Sequence, residues 1–276
     1  MEPRSPATVS VTPSASPSRA ATAPVQEPPE PCTQTVDDLE LVVKPGPDVP
    51  VELTRDVRAT TVRAHHALSS VPLPGCARRQ TVVKIVTGFG VPNTAAQFQQ
   101  VSTRRGVITL WTGDWLDLPG VDRTLILVHE WWHQIQQLSG WCGADAGCRG
   151  GNLDAIPHWL YEADANLQAL RVGQRLGLVS YGAEIDRWRG STGSALLALR
   201  RNANPSTLPP EETFWWYKMA QFSGHDLVDG RPLAFLRFWR LAGKTGDWQR
   251  AFRLAFSVEY DTFFRNTFVH PERLWP

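Results

Sequence analysis

Cysteine is scarce in this 276-residue chain, with four, at Cys32, Cys76, Cys142 and Cys148. Their spacing is not that of a cysteine-ligated zinc site. An excess of charge is also missing: 28 Lys and Arg stand against 27 Asp and Glu, a net of +1. That balance lacks the basic footprint by which proteins grip phosphate backbones, so no nucleic-acid partner is expected. No apolar run of about eighteen residues is present to span a bilayer, so no transmembrane segment is expected. Gly88 and Gly90 are isolated, and no glycine-rich loop cradles a phosphate. Histidine is rare too, seven in all, which gives weight to any two that fall together.

What is there divides unevenly. Residues 1–34 are rich in Pro, Ser, Ala and Thr, show no apolar periodicity, and are expected to be a disordered tail or linker. Residues 35–276 suffice for one sizeable domain, with a sheet lobe over about 35–140 and a helical lobe over about 141–276. Residues 39–53 read as two short strands about a Pro-Gly turn, and 57–68 as a helix. Residues 81–87 and 105–111 read as strands. Later helices are expected over 123–138, 155–176, 211–221, 232–241, 248–256 and 258–268. Twelve tryptophans are many for this length, and most are expected in the core.

The densest chemistry lies in HEWWHQ, His129 to Gln134. In a helix His129 and His133 point the same way one turn apart, and Glu130 lies about 100° around the axis. This is the H-E-x-x-H arrangement in which two histidines hold zinc and the glutamate serves as general base. The flanking sequence is helical, with Leu125, Val128, Trp132 and Ile135 at helical spacing. Two ligands from one helix need a third, because a catalytic zinc keeps its fourth position for water. Glu162, set among Trp159, Leu160, Ala163 and Ala165, is that ligand; a carboxylate on an apolar face is costly unless paired or metal-bound. His158, one turn earlier, is the rival. Asn166, one turn later, can orient a ligating histidine by a hydrogen bond.

These residues resemble the gluzincin branch of the zincin metallopeptidases, in particular the peptidase MA-like domains. That branch takes a glutamate ligand from a W-L-x-E-G-x-A stretch, matched here by Trp159-Leu160-Tyr161-Glu162-Ala163-Asp164-Ala165, with Ala163 in place of glycine. Asn166 falls where the family has an acid or amide four residues after the ligand. Residues 248–268 resemble the family's closing helices, with Ser257 where glycine is common. The resemblance implies an α+β zincin-like fold: a small N-terminal mixed sheet with an edge strand over the cleft, then a mainly helical lobe. It implies one Zn²⁺ cofactor on His129, His133 and Glu162, with Glu130 activating water to cut a peptide or protein substrate. An upstream edge strand, here Val107, Ile108, Thr109, Leu110 and Trp111, would pair with extended substrate; an ordinary core or edge strand is the plainer alternative. A downstream Tyr or His would stabilise the oxyanion, with Tyr217 preferred to His225, the latter placed in a loop. Action on a non-peptide bond, or peptide binding without catalysis, are the alternatives.

Cys142 and Cys148 flank a Gly-rich loop between the two ligand segments, where a disulfide would close a short loop; Cys32 and Cys76 would form the other. Paired cysteines point to an oxidising compartment, extracellular or cell-surface. No apolar signal segment follows Met1, and a reducing cytoplasm with free thiols is the alternative. A monomer is expected.

Overall fold

A computed structural model describes residues 33–74, 79–90, 95–102, 104–140, 155–188, 208–228, 230–231 and 233–269. Cys32–Pro276 pack as one unit. The expected tail lies outside the described residues except for Thr33 and Gln34, which belong to strand β1 (Thr33–Thr35). All four cysteines, and with them both expected disulfides, also lie outside.

β1 pairs antiparallel with β3 (Pro72–Pro74). The main sheet has four strands: β2 (Glu40–Pro45), β4 (Gln80–Val86), β5 (Ala96–Ser102) and β6 (Arg105–Trp111), in the order β2-β4-β6-β5. β2, β4 and β6 run parallel, while β5 folds back antiparallel as the edge, with Phe98 opposite Ile108. The sheet is therefore mixed, as expected. The placing of residues 107–111 at an edge is corrected: β6 has hydrogen-bonded neighbours on both sides, so Val107 to Trp111 have no backbone edge to offer. The edge beside β6 is β5, AQFQQVS, whose glutamines gave little apolar signal.

A second correction concerns residues 39–53. Only β2 forms there, and helix α1 (Val51–Leu68) begins directly after Pro50. Leu53, Val57, Ala64 and Leu68 are buried at helical spacing and hold that segment to the core.

After a short helix α2 (Thr112–Asp117), α3 (Gly120–Gly140) carries the HEWWHQ motif. Gln134 of that motif fixes the helix to the sheet. It is fully buried, and its Oε1 accepts from the Thr81 hydroxyl at 2.6 Å. Gly106 makes the approach possible, since a Cβ there would meet Gln134 Cδ at 2.8 Å and Phe98 at 2.7 Å.

The helical lobe follows: α4 (His158–Arg175), α5 (Tyr181–Trp188), α6 (Pro210–Val228), α7 (Ala234–Thr245), α8 (Trp248–Phe256) and α9 (Tyr260–Phe264), closed by a π turn over Arg265–Val269. α6 runs past residue 221 with Gly224 inside it, where a Cβ would meet that of Ala163 at 2.8 Å. His225 is thus helical and not in a loop. Ser257 takes a left-handed conformation, φ 62°, after α8, the conformation glycine adopts most readily.

Two cores flank α4. Trp159, Leu160, Ala163 and Leu167 join the core built with α6 to α9. Ala165, Ala169 and Val172 join the core under the sheet with α1 and α3. Most of this helix is thus buried between two cores, and it carries the expected third ligand. Tryptophans 115, 131, 159, 216 and 239 are all 1 % exposed or less; truncating such a residue to alanine destabilises by about 3–5 kcal/mol. Trp132, on the helix that carries the motif, is buried as well. No described helix is long and apolar enough to cross a membrane.

Candidate metal centre

Packing of α3 against α4 brings His129, His133 and Glu162 together, one potential ligand atom from each lying within 4.8 Å of the others. Glu162 Oε2 is 3.1 Å from His129 Nε2 and 3.6 Å from His133 Nε2. The two Nε2 atoms are 3.0 Å apart.

The outer ring nitrogens explain why this cluster suits a cation. His129 Nδ1 lies 3.1 Å from Asn166 Oδ1, and His133 Nδ1 lies 2.8 Å from Gln136 Oε1. A carbonyl oxygen can only accept, so both rings carry their proton on Nδ1 and turn a bare Nε2 lone pair inward. Two nitrogen lone pairs and a carboxylate oxygen then converge, an arrangement that repels itself unless a cation lies among them. Glu162 Oε2 is buried and, among the described residues, has no hydrogen-bond partner of acceptable geometry. A proton is the smallest cation the cluster can hold. Burial pulls the His133 imidazole down, yet the Glu162 carboxylate lifts it to about 9. Burial likewise pushes Glu162 up, but His133 and His129 hold it well below the usual carboxylate range.

His158 is not part of the cluster. Its Nε2 lies 3.4 Å from the other oxygen of Glu162, Oε1, at the half-exposed start of α4. It braces the carboxylate from behind, and burial lowers its imidazole below the usual range.

Glu130 sits beside the ligands, its Oε1 4.0 Å from His129 Nε2. Its Oε2 accepts the Phe98 backbone N–H at 2.6 Å. Burial, opposed by the two histidines, raises its carboxyl above the ordinary value. Tyr217 borders the same space: its ring lies 6.5 Å from that of His129 and nearly perpendicular to it. Burial and then the Glu162 and Glu130 carboxylates push its hydroxyl well above the usual range, so it stays a proton donor. His225 is eight residues further along α6, roughly 12 Å at about 1.5 Å per residue. Its Nδ1 pairs with the Tyr181 hydroxyl at 2.9 Å.

Three contributors were not anticipated. Gln136 holds His133, Asp164 receives Gln136, and Phe98 holds Glu130. Gln136 carried one sequence signal, since it lies three residues after His133 on the same helical face. Phe98 carried none, being on a strand that the sequence did not reveal.

The assembly matches the zincin-type H-E-x-x-H motif with a glutamate downstream, and its donor set fits a single Zn²⁺ with a position left for water. Compared with known proteins, the chain matches no protein-family model, no curated protein and no solved structure.

Proposed function

We propose that this zinc-hydrolase site cuts peptide bonds. The observation that carries the reading is the contact between the base and the sheet edge: Glu130, beside the metal ligands, is hydrogen-bonded to the outward amide of β5. Trp111 N–H donates to Ala95 C=O at 3.1 Å. Bonded and unbonded pairs alternate along an antiparallel ladder, so Gln97 and Gln99 turn their amides to β6 while Ala96 and Phe98 turn theirs outward. With the Phe98 N–H taken by Glu130, its C=O is the outward group left at that residue, and an extended peptide is the substrate that such an edge receives. The role first given to Val107–Trp111 passes to β5.

Zinc held by His129, His133 and Glu162 would polarise the scissile carbonyl and acidify the attacking water. Asn166 and Gln136 keep both imidazoles in the ligating tautomer. Glu130 accepts the water's proton on Oε1, its Oε2 being held by Phe98, and passes it to the leaving nitrogen. Tyr217 keeps its proton and donates a hydrogen bond to the developing oxyanion. His225, engaged with Tyr181 along the helix, is the weaker candidate for that role.

The deciding experiment is cleavage of a broad peptide library by the purified chain, with and without chelator, and by Glu130→Gln. Chelator-sensitive cleavage lost in the variant is the expected result. Hydrolysis of small amides or esters with no peptide cut would move the reading to a non-peptide bond.

A further inference from the structure

Asp164 is fully buried, two residues after Glu162. Its Oδ2 accepts Trp132 Nε1–H and Trp239 Nε1–H at 2.7 Å each, and Gln136 Nε2–H at 3.0 Å. Its Oδ1 accepts Gln168 Nε2–H at 3.3 Å. The four groups converge from α3, α4 and α7, and all are donors.

The Gln136 amide has one orientation. Its NH₂ end meets two acceptors, Asp164 Oδ2 at 3.0 Å and the Tyr161 carbonyl at 2.9 Å, one for each hydrogen. Its Oε1 therefore faces His133 Nδ1 at 2.8 Å. A flipped amide would set oxygen against two oxygens and offer N–H to His133 Nδ1. That ring would then move its proton to Nε2 and lose the lone pair a metal needs. Asn166 presents its Oδ1 to His129 without such a second anchor: among the described residues its buried Nδ2 has no hydrogen-bond partner.

We infer that Asp164 is a positioning residue for the metal, which through Gln136 fixes the zinc-binding tautomer of His133. The inference rests on the zinc reading above. Through Trp132 the same carboxylate holds the helix that bears both histidines. A purely structural Asp164 would serve only the two tryptophans and Gln168. The two roles separate at Gln136, because removing that amide leaves the tryptophan contacts in place.

The test is Zn²⁺ affinity, measured by competition with a chromophoric chelator, for the wild type, Asp164→Leu, Gln136→Leu and the double variant. Both tryptophans and Gln136 share Oδ2, so an asparagine with its oxygen there would still accept from all three; leucine removes the acceptor and leaves the Gln136 NH₂ with the Tyr161 carbonyl alone. Each single variant is expected to bind zinc about 10- to 100-fold more weakly, and the double no more weakly than Gln136→Leu alone. In the zinc-loaded protein the Nδ1–H resonance of His133 should move in Asp164→Leu while that of His129, held by Asn166, stays. A wild type that binds no zinc defeats the metal reading itself. With wild-type binding intact, unchanged affinity in Gln136→Leu overturns the inference, whether or not Asp164→Leu folds. Losses that multiply in the double variant overturn it as well, since Asp164 would then act by another route.

Discussion

Glu130 Oε2 and the Phe98 backbone N–H are 2.6 Å apart, so the base on α3 is held by the edge of the sheet. One carboxylate oxygen is occupied and the other faces the ligand cluster. Substituting Glu130→Gln keeps the size and the ability to accept from Phe98 but removes the proton acceptor. The variant should retain zinc and the fold, and turnover should fall by about 10²- to 10⁴-fold. Zinc content and kcat measured on one preparation test this; near-normal turnover would remove Glu130 from its role.

The ligand set predicts one zinc per chain. Glu162→Ala should lose the metal, since it removes the only anionic member of the cluster. His158→Ala should keep it, because His158 touches only the oxygen turned away from the two ligating rings. Metal analysis of the two proteins decides between them, and the opposite pattern would replace Glu162 by His158.

Tyr217→Phe removes a donor that borders the cluster without touching a ligand. Its kcat should fall by about 10²-fold, the lower end for loss of one oxyanion donor, at unchanged zinc content. His225→Ala should leave kcat nearly unchanged. A crippled His225→Ala beside an unimpaired Tyr217→Phe would reverse the two assignments.

The Glu162–His133 pair sets a pH dependence for the metal-free protein. His133 is raised from 6.5 to about 9, so its contribution to stability is complete below 6.5 and is lost as pH rises through 9. Glu162 is depressed from 4.5, so its contribution is complete above 4.5 and is lost as pH falls through its lower folded value. In chelator, denaturation midpoints should therefore be higher at pH 6 than at pH 10. Zinc competes with the His133 proton, so zinc affinity should climb over the same interval. Midpoints that rise from pH 6 to pH 10 in chelator would contradict the pairing.

Legibility in the sequence followed the distance over which each feature is encoded. His129, Glu130 and His133 lie within one helical turn and a half, and helical periodicity alone set their relative directions. Glu162 was recognisable because a carboxylate among Trp159, Leu160 and Ala163 needs a partner wherever the helix lies. Strand β5 escaped notice because an edge strand buries only one side, and its glutamines broke the apolar signal. The misplacing of β6 had a different cause. Order along the chain is not order in a sheet, and β5, though earlier in sequence, turns back to the outside. The pairing of Gln136 with Asp164 depends on how α3 lies across α4, which no local pattern specifies.

Helix α4 has no idle face. It presses Ala163 against Gly224 on one side and Ala165 into the sheet-side core on the other. A larger residue at any of these three points would displace the segment that carries Glu162. Inherited variation in what the cleft accepts is thereby channelled away from α4 toward the opposite wall, above all β5, whose outward positions can change without disturbing the metal. Homologues of this chain should accordingly keep small residues along α4 while they diverge along that strand.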